Sequence, residues 1–111
     1  MSKSSDIVFP ANVTFRPEAV RDWAAFDRVQ KTEIAKAITK VAANPAPKTE
    51  GGYGKPLSGK LSGCMKIKLR ASGIRIIYEF IRSSNGMDIL VIAMRADDEV
   101  YALAQKRKKQ Q

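Results

Sequence analysis

The sequence predicts an α+β domain with the element order β-α-α-β-β-β-α, a small curved and mainly antiparallel sheet with a helical hairpin on one face. Three observations carry that prediction. Residues 64–70 alternate apolar and basic side chains, the two-residue period of a strand. Ile34, Ile38, Val41 and Ala42 recur at helical spacing, with Lys31, Lys36 and Lys40 outside them. Ala71-Ser72-Gly73 and Ser83-Ser84-Asn85-Gly86 are turn signals, and turns that short join antiparallel strands.

Residues 1–10 read as a loose N-terminal segment. A short strand is expected near residues 12–15, with Pro10 marking its approach or an edge. Pro17 suits the first position of a helix, and Glu18 sits at the favourable end of its dipole. Val20, Trp23, Ala24 and Phe26 give that helix an apolar face. Asp27 can end it or cap the next helix, which runs until Asn44-Pro45-Ala46-Pro47 stops it.

Residues 48–62 form a long connection rich in Gly, Pro and Ser, anchored by Leu57 and Leu61. Long loops in compact domains are often functional, and Lys55 and Lys60 make this one basic. In the next strand Met65, Ile67 and Leu69 point one way, and Lys66, Lys68 and Arg70 the other. After the second turn, residues 87–95 are nearly continuously apolar, as in a strand buried on both faces. Asp97 is expected to cap a last helix over residues 98–107, which runs into a basic tail at 106–111. All helices are expected on one side of the sheet.

The chain has 111 residues, enough for one domain with one core, and 44% of them are hydrophobic. Twenty Lys and Arg against 11 Asp and Glu leave a net charge of +9, which favours a polyanion or an acidic protein as partner. The one cysteine, Cys64, allows no intramolecular disulfide and is compatible with a reducing compartment. Apolar runs too short to cross a bilayer and no signal-peptide pattern lead to an expected cytoplasmic location, with no membrane partner. There is no histidine, which excludes imidazole acid–base chemistry and His-ligated metal. No metal or cofactor is expected, and proton chemistry must come from Lys, Arg, Tyr or carboxylates.

Lys66 and Lys68 should stand about 7 Å apart on one face of their strand. A fold normally avoids holding two ammonium groups that close unless an anion sits between them, and their repulsion is expected to lower the pKa of at least one. Arg75 follows the turn with its side chain opposite in direction to Ile74, Ile76 and Tyr78, Arg95 closes the apolar strand, and Tyr101 comes six residues later. Brought together, these groups could clamp a phosphodiester. Each also has a plainer reading. Lysines keep open sheet faces soluble, Arg70 and Arg75 can pair with Glu79 or Asp88, Arg95 with Asp97 or Asp98, and Tyr101 can be a packing residue.

The residues themselves resemble a known family. Phe-Arg-Pro-Glu-Ala-Val-Arg-Asp-Trp at residues 15–23, Leu-Ser-Gly-Lys-Leu-Ser-Gly at 57–63, Cys-Met-Lys-Ile-Lys-Leu-Arg-Ala-Ser-Gly-Ile-Arg-Ile-Ile-Tyr at 64–78, Arg-Ala-Asp-Asp-Glu-Val-Tyr at 95–101 and Ala-Gln-Lys-Arg at 104–107 together resemble the RelE family of toxin–antitoxin ribonucleases. That family lies within the wider RelE/ParE superfamily, and the likeness spans most of the chain.

The resemblance implies a single RelE-like toxin domain over residues 1–111, with a microbial RNase fold. It also implies a ribosome-dependent, metal-independent endoribonuclease that cuts mRNA in the ribosomal A site and so inhibits translation. Carried over by motif, the catalytic set is Lys66, Lys68, Arg75, Arg95 and Tyr101, the general base being Tyr101 or Lys68. Lys55, Lys60, Arg70, Lys106 and Arg107 are the expected RNA and ribosome contacts. The implied partners are a cognate antitoxin, the ribosome with its RNA, and mRNA. The family often has Arg or Lys where this chain has Asp97 and Asp98, so the rim here is less basic. The alternatives are a ParE-like inhibitor of DNA gyrase, a branch that generally lacks the lysine pair and the terminal tyrosine, and a non-catalytic RNA- or antitoxin-binding homologue.

Overall fold

The structure, a computed structural model, describes residues 7–109. Most of the expected loose segment (residues 1–6) and the last two residues of the basic tail lie outside the described residues. The elements are β1 (Val13–Phe15), α1 (Pro17–Ala24), α2 (Arg28–Ala42), β2 (Lys55–Pro56), β3 (Cys64–Leu69), β4 (Ile74–Ile81), β5 (Gly86–Ala93) and α3 (Asp97–Lys109). One sheet has the order β1-β5-β4-β3-β2. Its strands are antiparallel except for β1, which runs parallel to β5. No helix among the described residues is long and apolar enough to cross a membrane.

Local chemistry sets the boundaries. Pro17 opens α1. Asp27 caps α2 in a capping box: its carboxylate accepts from the Gln30 backbone N–H (2.8 Å), and the Gln30 side chain accepts from the Asp27 N–H (3.0 Å). The β3–β4 turn needs Gly73, whose φ is +78° and whose N–H donates to the Leu69 carbonyl at 2.8 Å.

The alternation along β3 and β4 builds two unlike faces. Met65, Ile67, Ile74, Ile76 and Tyr78 pack under α2, whose Ile34 and Ile38 are fully buried. The opposite face is covered in part by α3, whose Val100 and Ala104 pack on Cys64, Ile77, Val91 and Ala93. The helices therefore do not share one side, which corrects the sequence expectation. A β-bulge makes room for this arrangement. The β4–β5 register passes from Ile77 opposite Val91 to Tyr78 opposite Ile89, so Leu90 is extra, and both it and Val91 join the cluster under α3.

Two further corrections concern the connection and α1. Residues 48–62 are not simply a loop. They hold two single 3-10 turns and β2, a fifth strand in which Pro56 is tolerated because the strand is an edge. Leu61 is buried and Leu57 half-buried, as expected of anchors. The segment is held close: the Tyr78 hydroxyl donates to the Pro45 carbonyl at 2.9 Å, and a Cβ on Gly54 would lie 2.5 Å from that hydroxyl. Burial raises the Tyr78 pKa, so the phenol stays a neutral donor. In α1, Ala19 is fully buried, while Val20 and Ala24 are exposed. The short helix presents its small residue to the core, and Trp23 instead packs against Phe9 and Phe15, with ring centroids 5.2 and 6.3 Å away.

Where β1 ends, side chains take over the open backbone of β5. Arg107 donates to the Leu90 carbonyl at 2.8 Å and to both oxygens of Asp22 (2.6 and 3.3 Å), and Asp22 in turn accepts from the Ile92 N–H at 3.0 Å. This pair fixes the end of α3 to α1 and to the sheet.

Candidate active site

Register decides which cations meet. Lys68 lies opposite Arg75, and Lys66 opposite both Ile77 on β4 and Lys55 on β2. Paired residues project to the same face, so Lys55, Lys66, Lys68 and Arg75 share the side that α3 crosses. The first turns of α3 bring Asp97 and Tyr101 to the same place.

Arg75 is fixed in position. Its Nε donates to Asp97 Oδ1, and its Nη1 donates to the carbonyls of Gly73 (3.1 Å) and Arg95 (2.7 Å). Lys66 Nζ lies 3.5 Å from Asp97 Oδ2 and 5.6 Å from the centroid of the Tyr101 ring, within cation–π range. Lys66, Arg75 and Tyr101 thus converge around Asp97. Lys68, exposed, is the next rung beside Arg75, and Arg95 stands at the rim with its backbone bonded to Arg75 and its side chain in solvent.

The electrostatics depart from expectation at Lys66. Its pKa is raised: hydrogen bonding with Tyr101 contributes most, burial opposes, and the charges of Tyr101 and Asp97 add to the rise. The nearby Asp97 carboxylate and the Tyr101 phenol both favour the protonated form. These contacts favour Lys66 as a proton-bearing cation. At Asp97 burial works against the charge, yet the Arg75 hydrogen bond and the charges of Lys66 and Arg75 win and hold the carboxyl below its usual range. Cys64, under α3 at the start of β3, is fully buried and its thiol is pushed up to about 11, first by burial, so it offers no thiolate nucleophile.

The remaining expected contacts divide. Tyr101, half-buried, lines a hollow of about 220 Å³ with Pro56, Leu57, Leu61 and Gln105. Lys60 borders the neighbouring hollow with Lys108 and Lys109. Lys55 and Lys106 are exposed, and Arg70 is exposed just past the end of β3. Arg107 is different: its guanidinium is committed to Asp22 and the Leu90 carbonyl, and its side chain is only 13% exposed. It is a clamp in this fold, in place of the RNA contact expected of it.

Sequence reasoning missed two residues. Asp97 was expected to cap α3 but is its first helical residue, and its carboxylate goes to Arg75 and Lys66. Its position two residues after Arg95 was the available signal; what it touches depends on the docking angle of α3. Arg16 was unassigned, and it takes both Glu79 (3.3 Å) and Asp88 (2.7 Å). That removes the partners otherwise expected for Arg70 and Arg75. Among the described residues no three His, Cys, Asp or Glu side chains lie close enough to hold a metal ion.

Comparisons with known proteins agree on one group. The chain is 34% identical over 98 residues to a RelE-like toxin protein of Escherichia coli, covering 86% of this chain and 94% of that one. It is 28% identical over 93 residues to the mRNA interferase toxin RelE of Escherichia coli strain K12, covering 84% and 92%. Among solved structures, the isolated E. coli RelE toxin superposes with a TM-score of 0.65 at 26% identity, over 86% of this chain and 96% of that one. A chain of the intact E. coli RelBE toxin–antitoxin complex gives 0.60 at 23% identity, over 76% of this chain and 95% of that one. No protein-family model matches the chain.

Proposed function

The chain belongs to the RelE family of toxins, and from that premise we propose that it is the toxin of a toxin–antitoxin pair, a ribosome-dependent endoribonuclease that cuts mRNA in the A site. The observation that carries this reading is the meeting of Lys66, Arg75 and Tyr101 at one point, on a face shared with Lys68 and rimmed by Arg95.

The chemistry follows from the groups. A base takes the proton from a 2′-hydroxyl, whose oxygen bonds to the adjacent phosphorus. The P–O5′ bond breaks, and the leaving oxygen takes up a proton. The products are a 2′,3′-cyclic phosphate and a 5′-hydroxyl end, with no metal required. Negative charge gathers on the phosphoryl oxygens in the transition state, where fixed donors act most strongly. Arg75, held by two carbonyls, supplies a preorganised fork, and Lys66 supplies a permanent charge. With Lys66 kept protonated, the base is Tyr101 or Lys68, and Arg95 at the rim serves the leaving oxygen. A ribosome that holds the codon aligned would supply the positioning this chemistry needs.

The basic face would also receive the partner. The E. coli RelE relative is crystallised in a RelBE toxin–antitoxin complex. Here a cognate antitoxin with an acidic segment over the Lys55–Lys66–Lys68 surface would block it, within the cytoplasm where ribosomes are.

Primer extension on ribosome-bound mRNA, with analysis of the 3′ ends, tests the reading. Cuts within the A-site codon that carry cyclic phosphate are expected. Intact mRNA on programmed ribosomes would leave a non-catalytic binder.

A further inference from the structure

Asp97 stands where a substrate anion belongs. Its two oxygens divide between two strands, Oδ1 on the Arg75 Nε of β4 and Oδ2 at 3.5 Å from the Lys66 Nζ of β3. Two acceptor oxygens on one small anionic centre is also the pattern of the non-bridging oxygens of a phosphodiester. The cations, each 18% exposed, are held by the sheet, whereas the carboxylate is 39% exposed and starts a helix. A group so placed can swing into water by changing rotamer, while Arg75 stays pinned by the Gly73 and Arg95 carbonyls.

We infer that Asp97 is an exchangeable placeholder for RNA phosphate: it neutralises Arg75 and Lys66 in the free protein and competes with the scissile phosphate for them, so that it sets how tightly the face takes RNA. The inference rests on the proposed RNA-cleaving role of this site and adds the residue that sets its affinity. An anion already in place would also hold the free toxin back from stray polyanions, leaving a site filled only where the substrate is presented at high local concentration.

The neighbouring Asp98 provides the control. It carries the same charge one residue away, but its carboxylate accepts from the Glu99 backbone N–H (3.0 Å) and faces solvent. Binding of a short single-stranded RNA with a 2′-deoxy residue at the scissile position, titrated across salt concentrations, separates the two. Asp97→Asn should bind about threefold to tenfold tighter, the scale of two partly exposed ion pairs. Its slope of log affinity against log salt should steepen by about 0.7 for each additional phosphate that the freed cations neutralise. Asp98→Asn should do neither, and the tighter binding should vanish when Arg75→Ala is combined with Asp97→Asn.

Equal affinity of the parent and Asp97→Asn, weaker binding by Asp97→Asn, or equally tightened binding by Asp98→Asn overturns the inference while leaving the RNA reading standing. No binding of the RNA by any of the proteins overturns the inference, and together with uncut mRNA on programmed ribosomes it overturns the RNA reading as well. Thermal melts of each variant show that the comparison is between folded proteins.

Discussion

The two faces of the sheet come from the same strands and differ only in the parity of their residues. Under α2 the contacts are isoleucine, methionine and a buried tyrosine, and none of the buried residues among those described is charged. Across the strand, one residue over, stand Lys66, Lys68 and Arg75. α3 covers this second face sparsely, with Val100 and Ala104 as its only buried residues. The first face is packed with apolar side chains, whereas the second buries a smaller cluster under α3 and carries Lys66, Lys68 and Arg75 beside it. The lesson is a division of labour at the spacing of one residue.

Four changes break or sharpen that contrast. Ile76→Ala, in the middle of the apolar face, should cost about 2–5 kcal/mol of stability in urea unfolding, as large-to-small core changes do. The fraction still folded should cut ribosome-bound mRNA at the parental rate. Arg75→Ala, on the other face, should lower kcat by roughly 10²–10³-fold, the effect of removing one preorganised donor. Its unfolding midpoint should move far less than that of Ile76→Ala, and a parental cleavage rate would remove Arg75 from the site. Tyr78→Phe leaves the Pro45 carbonyl without its donor in a buried place and should cost about 1–3 kcal/mol in the same unfolding assay.

The smallest effect is in pH. The Asp97 carboxyl is held below its usual range, so its ion pairs contribute stability that is complete above the unfolded carboxylate value near about pH 4. That contribution is lost as pH falls through the lowered folded value. The difference in unfolding midpoint between the parent and Asp97→Asn should therefore be constant near neutrality and close only in that acid window. A gap that persisted below it would assign the difference to something other than the charge of Asp97.

Much of this was legible from residue order. Alternation in residues 64–70 placed Lys66 and Lys68 on one side, and the Ala71-Ser72-Gly73 turn put Arg75 beside them. Asp27 and the Ile34–Ile38 spacing marked α2. What stayed hidden depends on distance in the chain. β2 is two residues long and contains a proline, which gives no periodic signal. In the run 87–95 every residue near Leu90 is apolar, so the extra residue of the bulge leaves no trace in the pattern. The side of the sheet chosen by α3 is fixed by Arg107 on Asp22, 85 residues away, and by Asp97 on Arg75. Neither contact exists until the sheet does, and for that reason Arg107 read as a surface cation and Asp97 as a cap.

The one thiol of the chain sits beneath α3 with no surface of its own. A modifying reagent can reach Cys64 only after the packing of α3 and Leu61 around it opens, and its attack slows further because the thiolate is scarce at neutral pH. The labelling rate of the unmodified protein therefore works as a clock for that opening, needing neither an introduced dye nor a substituted residue.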